Sequence, residues 1–133
     1  KIKESQLKDI VRLTGFNISR ETLVVIHGWQ NNRESPVNDY IKNAALRKHN
    51  INVIVADWSP IAKRNYVTAQ RSVVRVGNYI GDFLIRLDNE LDHRLNRITI
   101  VGHSLGAHIS GKVFKLLYIR YMLPLSLLFL KCI

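Results

Sequence analysis

Residues 99–111, TIVGHSLGAHISG, constrain this chain more than any other stretch. β-Branched residues run straight into Gly102-His103-Ser104-Leu105-Gly106, and helix formers follow. A G-x-S-x-G pattern between a strand and a helix marks a nucleophile elbow, in which the serine sits on a sharp, strained turn. Small residues two before and two after it let strand and helix approach closely. The serine oxygen then stands at the C-terminal edge of a parallel sheet, with a helix N-terminus behind it. The pattern predicts Ser104 as a nucleophile and calls for an acid and a base nearby. The plain alternative is a serine that only caps a helix.

The rest of the chain supplies elements for such a sheet. Leu23-Val24-Val25-Ile26 is a short apolar run ending at His27-Gly28, as a buried strand does. Ser35-Pro36 reads as an N-cap followed by proline at the first helical position, opening a helix to about Lys48. Asn52 to Ala56 reads as a second buried strand, closed by Asp57-Trp58-Ser59-Pro60. Ala69, Val73, Val76, Ile80, Phe83, Leu84, Leu87 and Leu91 recur in steps of three and four, which predicts one long amphipathic helix. Arg97 to Val101 is a third strand entering the elbow, and a helix starts near Leu105. Strands alternating with helices predict an α/β fold with a parallel sheet covered on both faces.

An acyl-transfer site also needs two oxyanion donors. The N–H of Leu105 follows the nucleophile directly, and the loop after an earlier strand supplies the second. The backbone N–H of Trp29, at the end of the first strand, is the candidate.

Bulk properties exclude several classes. The 133 residues suit one domain, and 47% hydrophobic with 23% charged is a globular balance. The net charge of +10 fits a solvated basic surface or attraction to anionic lipid or polyanionic sugar. The basic residues are dispersed and no nucleic-acid module is recognisable, so no nucleic-acid partner is expected. Cys132 is the sole cysteine, so no internal disulfide, metal site or cofactor is expected. The polar start KIKESQLKDI is not a signal peptide, which predicts either a removed signal or a partial chain. Asn17-Ile18-Ser19 is a glycosylation sequon and lends slight support to a secretory route.

Four motifs in order, "LVVIHGW", "VIVADWSPIAKRNYVTA", "VGNYIGDFL" and "ITIVGHSLGAHISG", resemble the animal lipase family of pancreatic lipase, lipoprotein lipase and venom phospholipase A1 type, its insect members most of all. The resemblance implies the N-terminal portion of an α/β-hydrolase fold, secretion, action at a lipid–water interface and hydrolysis of triacylglycerol or phospholipid esters. Ser104 matches the family nucleophile; Trp29 and Leu105 match its oxyanion donors.

The departure is equally specific. The family places its acid after the next strand and its histidine later still. Here Leu123-Pro124-Leu125-Ser126-Leu127-Leu128-Phe129-Leu130 stands in that region, no acidic residue follows Asp92, and His108 is the sole histidine after the elbow. Residues 1–114 therefore read as a partial catalytic domain and 115–133 as a hydrophobic tail foreign to the family. The enzyme reading competes with an inactive, truncated, at most lipid- or partner-binding product. Tyr121 to Leu130, with Arg120 before it and Pro124 within it, is too short for a transmembrane span, which needs roughly 17–25 apolar residues. Among the histidines, His27 reads as structural, His103 as part of the elbow, His108 as facing the sheet or a neighbouring helix, and His49 and His93 as surface positions. Asp57 reads as a hydrogen-bonded turn residue. The last strand is expected to lack its usual neighbour, which predicts a poorly soluble chain.

Overall fold

A computed structural model describes residues 7, 9–122 and 130–132. The elements in chain order are α1 (Ile10–Thr14), β1 (Thr22–Ile26), α2 (Pro36–Lys48), β2 (Asn52–Ala56), α3 (Ser59–Ala62), α4 (Tyr66–Arg71), α5 (Val73–Leu91), β3 (Ile98–Gly102), α6 (Leu105–Tyr121) and β4 (Leu130–Cys132). A 3₁₀ turn, Leu95–Arg97, leads into β3. The predicted break at Pro124 lies outside the described residues.

The strands form one sheet in the order β2-β1-β3-β4, and every pairing is parallel. β1 is buried along its whole length, as an unbroken apolar strand between two neighbours must be. Its alternate side chains feed two cores. Val24 and Ile26 join Ile98, Ile100, Leu84 and Ile109 under α5 and α6. Leu23 and Val25 join Val101 and the partly buried Ile41 and Ala45 of α2 on the other face. Each fully buried Val or Ile of this kind contributes about 1.5–3 kcal/mol of transfer free energy. β2 is only half-buried after Asn52, because it is the outer strand.

Three expectations need correction. The single long helix is two: Ser72 separates α4 from α5, and its hydroxyl donates to the Thr68 carbonyl at 2.8 Å. Such back-bonding to the preceding turn bends a helix. Ser35 is the N-cap of α2 with Pro36 at the first helical position, as expected, although among the described residues its hydroxyl makes no capping hydrogen bond. It accepts the Asn32 N–H instead, at 2.9 Å, closing the loop before the helix. β3 does not stand at an open edge, since β4 pairs with it at Ile100↔Leu130, Val101↔Lys131 and Gly102↔Cys132. His93, expected at the surface, is completely buried. Its Nδ1 donates to the Ile18 carbonyl at 3.0 Å and its Nε2 meets the Thr22 hydroxyl at 2.8 Å.

α5 and α6 lie against each other through two glycines. A Cβ on Gly77 would come within 2.6 Å of the Lys112 Cβ, and one on Gly81 within 2.5 Å of a Leu116 methyl. Close helix contact therefore requires a bare position at Gly77, whereas at Gly81 the Leu116 methyl is the end of a side chain that can turn aside. The contact seats α6, and with it Ser104 just before the helix, firmly over the sheet.

Candidate active site

The register aligns Ile26 with both Ala56 and Gly102, so β1, β2 and β3 end level on one edge. His27, Asp57 and His103-Ser104 are the residues that leave it. At the tip of β3 the chain turns directly into α6, with Ser104 as the residue before the helix. Ser104 has φ 54° and ψ −123°, a conformation that non-glycine residues rarely hold and that costs about 1–3 kcal/mol. The side chain is exposed, and its hydroxyl makes no hydrogen bond among the described residues.

The flanking glycines are explained by contact. A Cβ on Gly102 would collide with the Gly106 carbonyl and the Ala107 N, and one on Gly106 with the Ile26 carbonyl. The strand, the turn and the first turn of α6 are packed backbone against backbone. Three hydrogen bonds hold the turn: His103 N–H to the Ile26 carbonyl at 3.0 Å, Gly106 N–H to the His103 carbonyl at 2.8 Å, and Ala107 N–H to the Ser104 carbonyl at 2.9 Å.

The β1 loop abuts this turn. A Cβ on Gly28 would lie 2.9 Å from the Ser104 Cβ and 3.0 Å from the His103 Nδ1. Trp29 follows, and its indole N–H donates to the Arg64 carbonyl at 2.8 Å while its ring meets Tyr66 edge-on. Gln30 N–H bonds the Ala62 carbonyl at 3.0 Å. The loop is thus pinned to the connection around α3 and α4. Neither the Trp29 nor the Leu105 backbone N–H donates a hydrogen bond among the described residues.

His27 and Asp57 imitate an acid–base pair, with Nε2 3.3 Å from Oδ1. The imidazole is completely buried and stacks on Trp58. Its Nδ1 faces the Gly28 carbonyl at 3.0 Å, which can only accept, so Nδ1 carries the proton. Nε2 then takes the Trp58 N–H at 3.2 Å. The ring is a fixed link between the β1 and β2 loops. Asp57 accepts the Ser59 N–H at 3.0 Å. Partial burial pushes its carboxyl up, but the hydrogen bonds from the Ser59 hydroxyl and backbone N–H outweigh it and leave the pKa lowered.

The remaining histidines do not reach Ser104 by a hydrogen bond. The His103 Nδ1 is buried and has no hydrogen-bond partner among the described residues. His108, expected to face the sheet or a helix, is exposed on α6, because Ile109 and Ser110 take the inward face there. His49 is exposed beyond α2. Among the described residues no cluster of side chains suits a metal ion, and no helix is long and apolar enough to cross a membrane.

A parallel sheet whose C-terminal edge carries a strained serine between two backbone-packed glycines has α/β-hydrolase architecture, in its N-terminal portion. The family model described as Lipase matches residues 1–119, and the chain belongs to that family. Mouse pancreatic triacylglycerol lipase is 32% identical over 106 residues, covering 79% of this chain and 23% of that protein. Rat lipoprotein lipase is 36% identical over 107 residues, with the same two coverages. Bovine hepatic triacylglycerol lipase is 31% identical over 112 residues. The chain spans less than a quarter of the length of these relatives.

Proposed function

We propose that the chain carries the nucleophilic half of a lipase-type carboxylic-ester hydrolase that acts on triacylglycerol or phospholipid at a lipid–water interface, in a secreted protein. One observation carries the reading: Ser104 is exposed and holds φ 54° at the tip of β3, with its hydroxyl unbonded among the described residues. Ser104 Oγ attacks the ester carbonyl carbon and passes its proton to a base contributed by sequence beyond these residues. The Leu105 and Trp29 N–H groups receive the oxyanion. The alcohol leaves, and water releases the fatty acid from the acyl-enzyme. In working enzymes one oxyanion donor is worth about 2.7–4 kcal/mol in the transition state.

A second reading is an inactive product that retains the elbow. It is favoured by a fact of the sequence: residues 123–130 are an apolar run without an acidic residue where the family resemblance places the strand that leads to the acid. Turnover of a short-chain chromogenic ester separates the two. The full-length protein hydrolyses it, and Ser104→Ala lowers kcat by a factor on the order of 10⁶. Equal turnover by both proteins overturns the enzyme reading. The 133-residue chain alone is expected to show little of that activity.

A further inference from the structure

The peptide unit joining Gly28 to Trp29 has two polar ends. Its N–H is the Trp29 donor of the proposed oxyanion hole, and its carbonyl belongs to Gly28. A trans peptide is planar and points its C=O and N–H in opposite directions. No peptide bond among the described residues is cis. Whatever fixes the Gly28 carbonyl therefore aims the Trp29 N–H.

That carbonyl accepts from His27 Nδ1 at 3.0 Å and from the Asn31 N–H at 3.3 Å. The His27 ring has no freedom to turn away. It is completely buried, it stacks on Trp58 with 5.6 Å between ring centroids, and its Nε2 accepts the Trp58 N–H at 3.2 Å. The Trp58 indole N–H donates to the His27 carbonyl at 2.7 Å, so a single buried residue grips both the ring and the backbone of His27. The sheet order gives this clamp a direction. β1 stands between β2 and β3, and the His27 ring is seated against the residue pair that follows β2. The Gly28 carbonyl is turned to that ring. The Trp29 N–H is thereby turned to the β3 side, where Ser104 stands. Gly28 already abuts the elbow, since a Cβ on it would lie 2.9 Å from the Ser104 Cβ.

We propose, resting on the hydrolase reading above, that His27 is a positioning residue of the oxyanion hole. Its Nδ1–H, with the Asn31 N–H, keeps the Gly28–Trp29 peptide from flipping and holds the Trp29 N–H toward the carbonyl oxygen of an ester at Ser104. A flipped peptide would present the Gly28 carbonyl to the elbow instead. A carbonyl can only accept, so it would repel the oxyanion. The flip would also strand the buried Nδ1–H without an acceptor, which opposes it.

The full-length protein is assayed on a short-chain ester and on the same ester with its carbonyl oxygen replaced by sulfur. Sulfur is larger and a weak hydrogen-bond acceptor, so aimed donors favour the oxygen substrate. The ratio of the two kcat values reads those donors, and a misfolded fraction lowers both rates alike. His27→Leu is expected to lower kcat on the oxygen ester by a factor of about 10²–10³, as loss of one oxyanion donor does, with KM little changed, and to lower the ratio about tenfold. His27→Asn sets an amide N–H near the place of Nδ1 and should restore the ratio to within about twofold of wild type. A wild-type ratio in His27→Leu overturns the proposal, and so does a His27→Asn that loses as much as His27→Leu; in both cases the hydrolase reading stands if Ser104→Ala abolishes turnover. A wild type no faster than Ser104→Ala overturns the hydrolase reading, and the proposal with it.

Discussion

Ser104 is held in a conformation that suits glycine, and stability and chemistry pull apart there. Ser104→Ala keeps the strain and removes the hydroxyl, whereas Ser104→Gly removes both. The glycine variant is expected to be more stable than the alanine variant by about 1–2 kcal/mol, part of the roughly 1–3 kcal/mol stored at such positions. Paired denaturant titrations check this, and equal midpoints would mean the turn is relaxed. Asp57 makes a second prediction at this scale. Its folded pKa lies below the ordinary 3.8, so its contribution is complete above 3.8 and is lost as the pH falls through the lower, folded value. Asp57→Asn is expected to remove that component of the acid transition, read from unfolding midpoints between neutral pH and about pH 3.

At the scale of elements, α5 and α6 offer two glycines that answer the same substitution with opposite signs. Gly77→Ala drives a Cβ toward Lys112 across the helix interface and is expected to cost about 1–3 kcal/mol. Gly111→Ala on α6 meets nothing within 4 Å and is expected to stabilise by about 0.5–1 kcal/mol through helix propensity. Thermal melts of the two variants against wild type decide it; destabilisation by both would show that α6 packs more tightly at Gly111 than described. Most elements were legible because periodicity is local: the apolar runs of β1 and β3, the stripe on α5, and the glycines around Ser104. What escaped depends on partners distant in sequence. Ser72 breaks a stripe whose spacing continues unbroken, because its hydroxyl bonds a carbonyl that spacing does not register. His93 reads as polar and terminal, and only Thr22 and Ile18, some seventy residues earlier, make its burial intelligible. The elbow and the Trp29 loop could be named from motifs; their contact through Gly28 could not.

At the scale of the 133-residue chain, the sheet among the described residues has its outer edge at β2 rather than at β3, since β4 takes the place beside β3. Along that outer strand runs an apolar hollow of about 680 Å³, lined by Ile54, Pro60, Tyr79, Ile80 and Phe83 among others. An unpaired strand edge beside an open apolar surface is a template for association with further copies. The net charge of +10 opposes association through repulsion that acts over about 10 Å at 0.1 M salt and is screened as salt rises. The isolated 133-residue chain is therefore expected to bind an apolar fluorescent dye and to self-associate increasingly with salt, as seen by sedimentation. Ile80→Lys places a charge in the hollow and should reduce both signals. Tyr40→Lys, on α2 at a side chain already 75% exposed, adds the same charge elsewhere and should leave the dye signal unchanged. A response to both substitutions would assign the effect to net charge, and a dye-silent monomer at every salt concentration would mean that the β2 edge and its hollow are closed in solution.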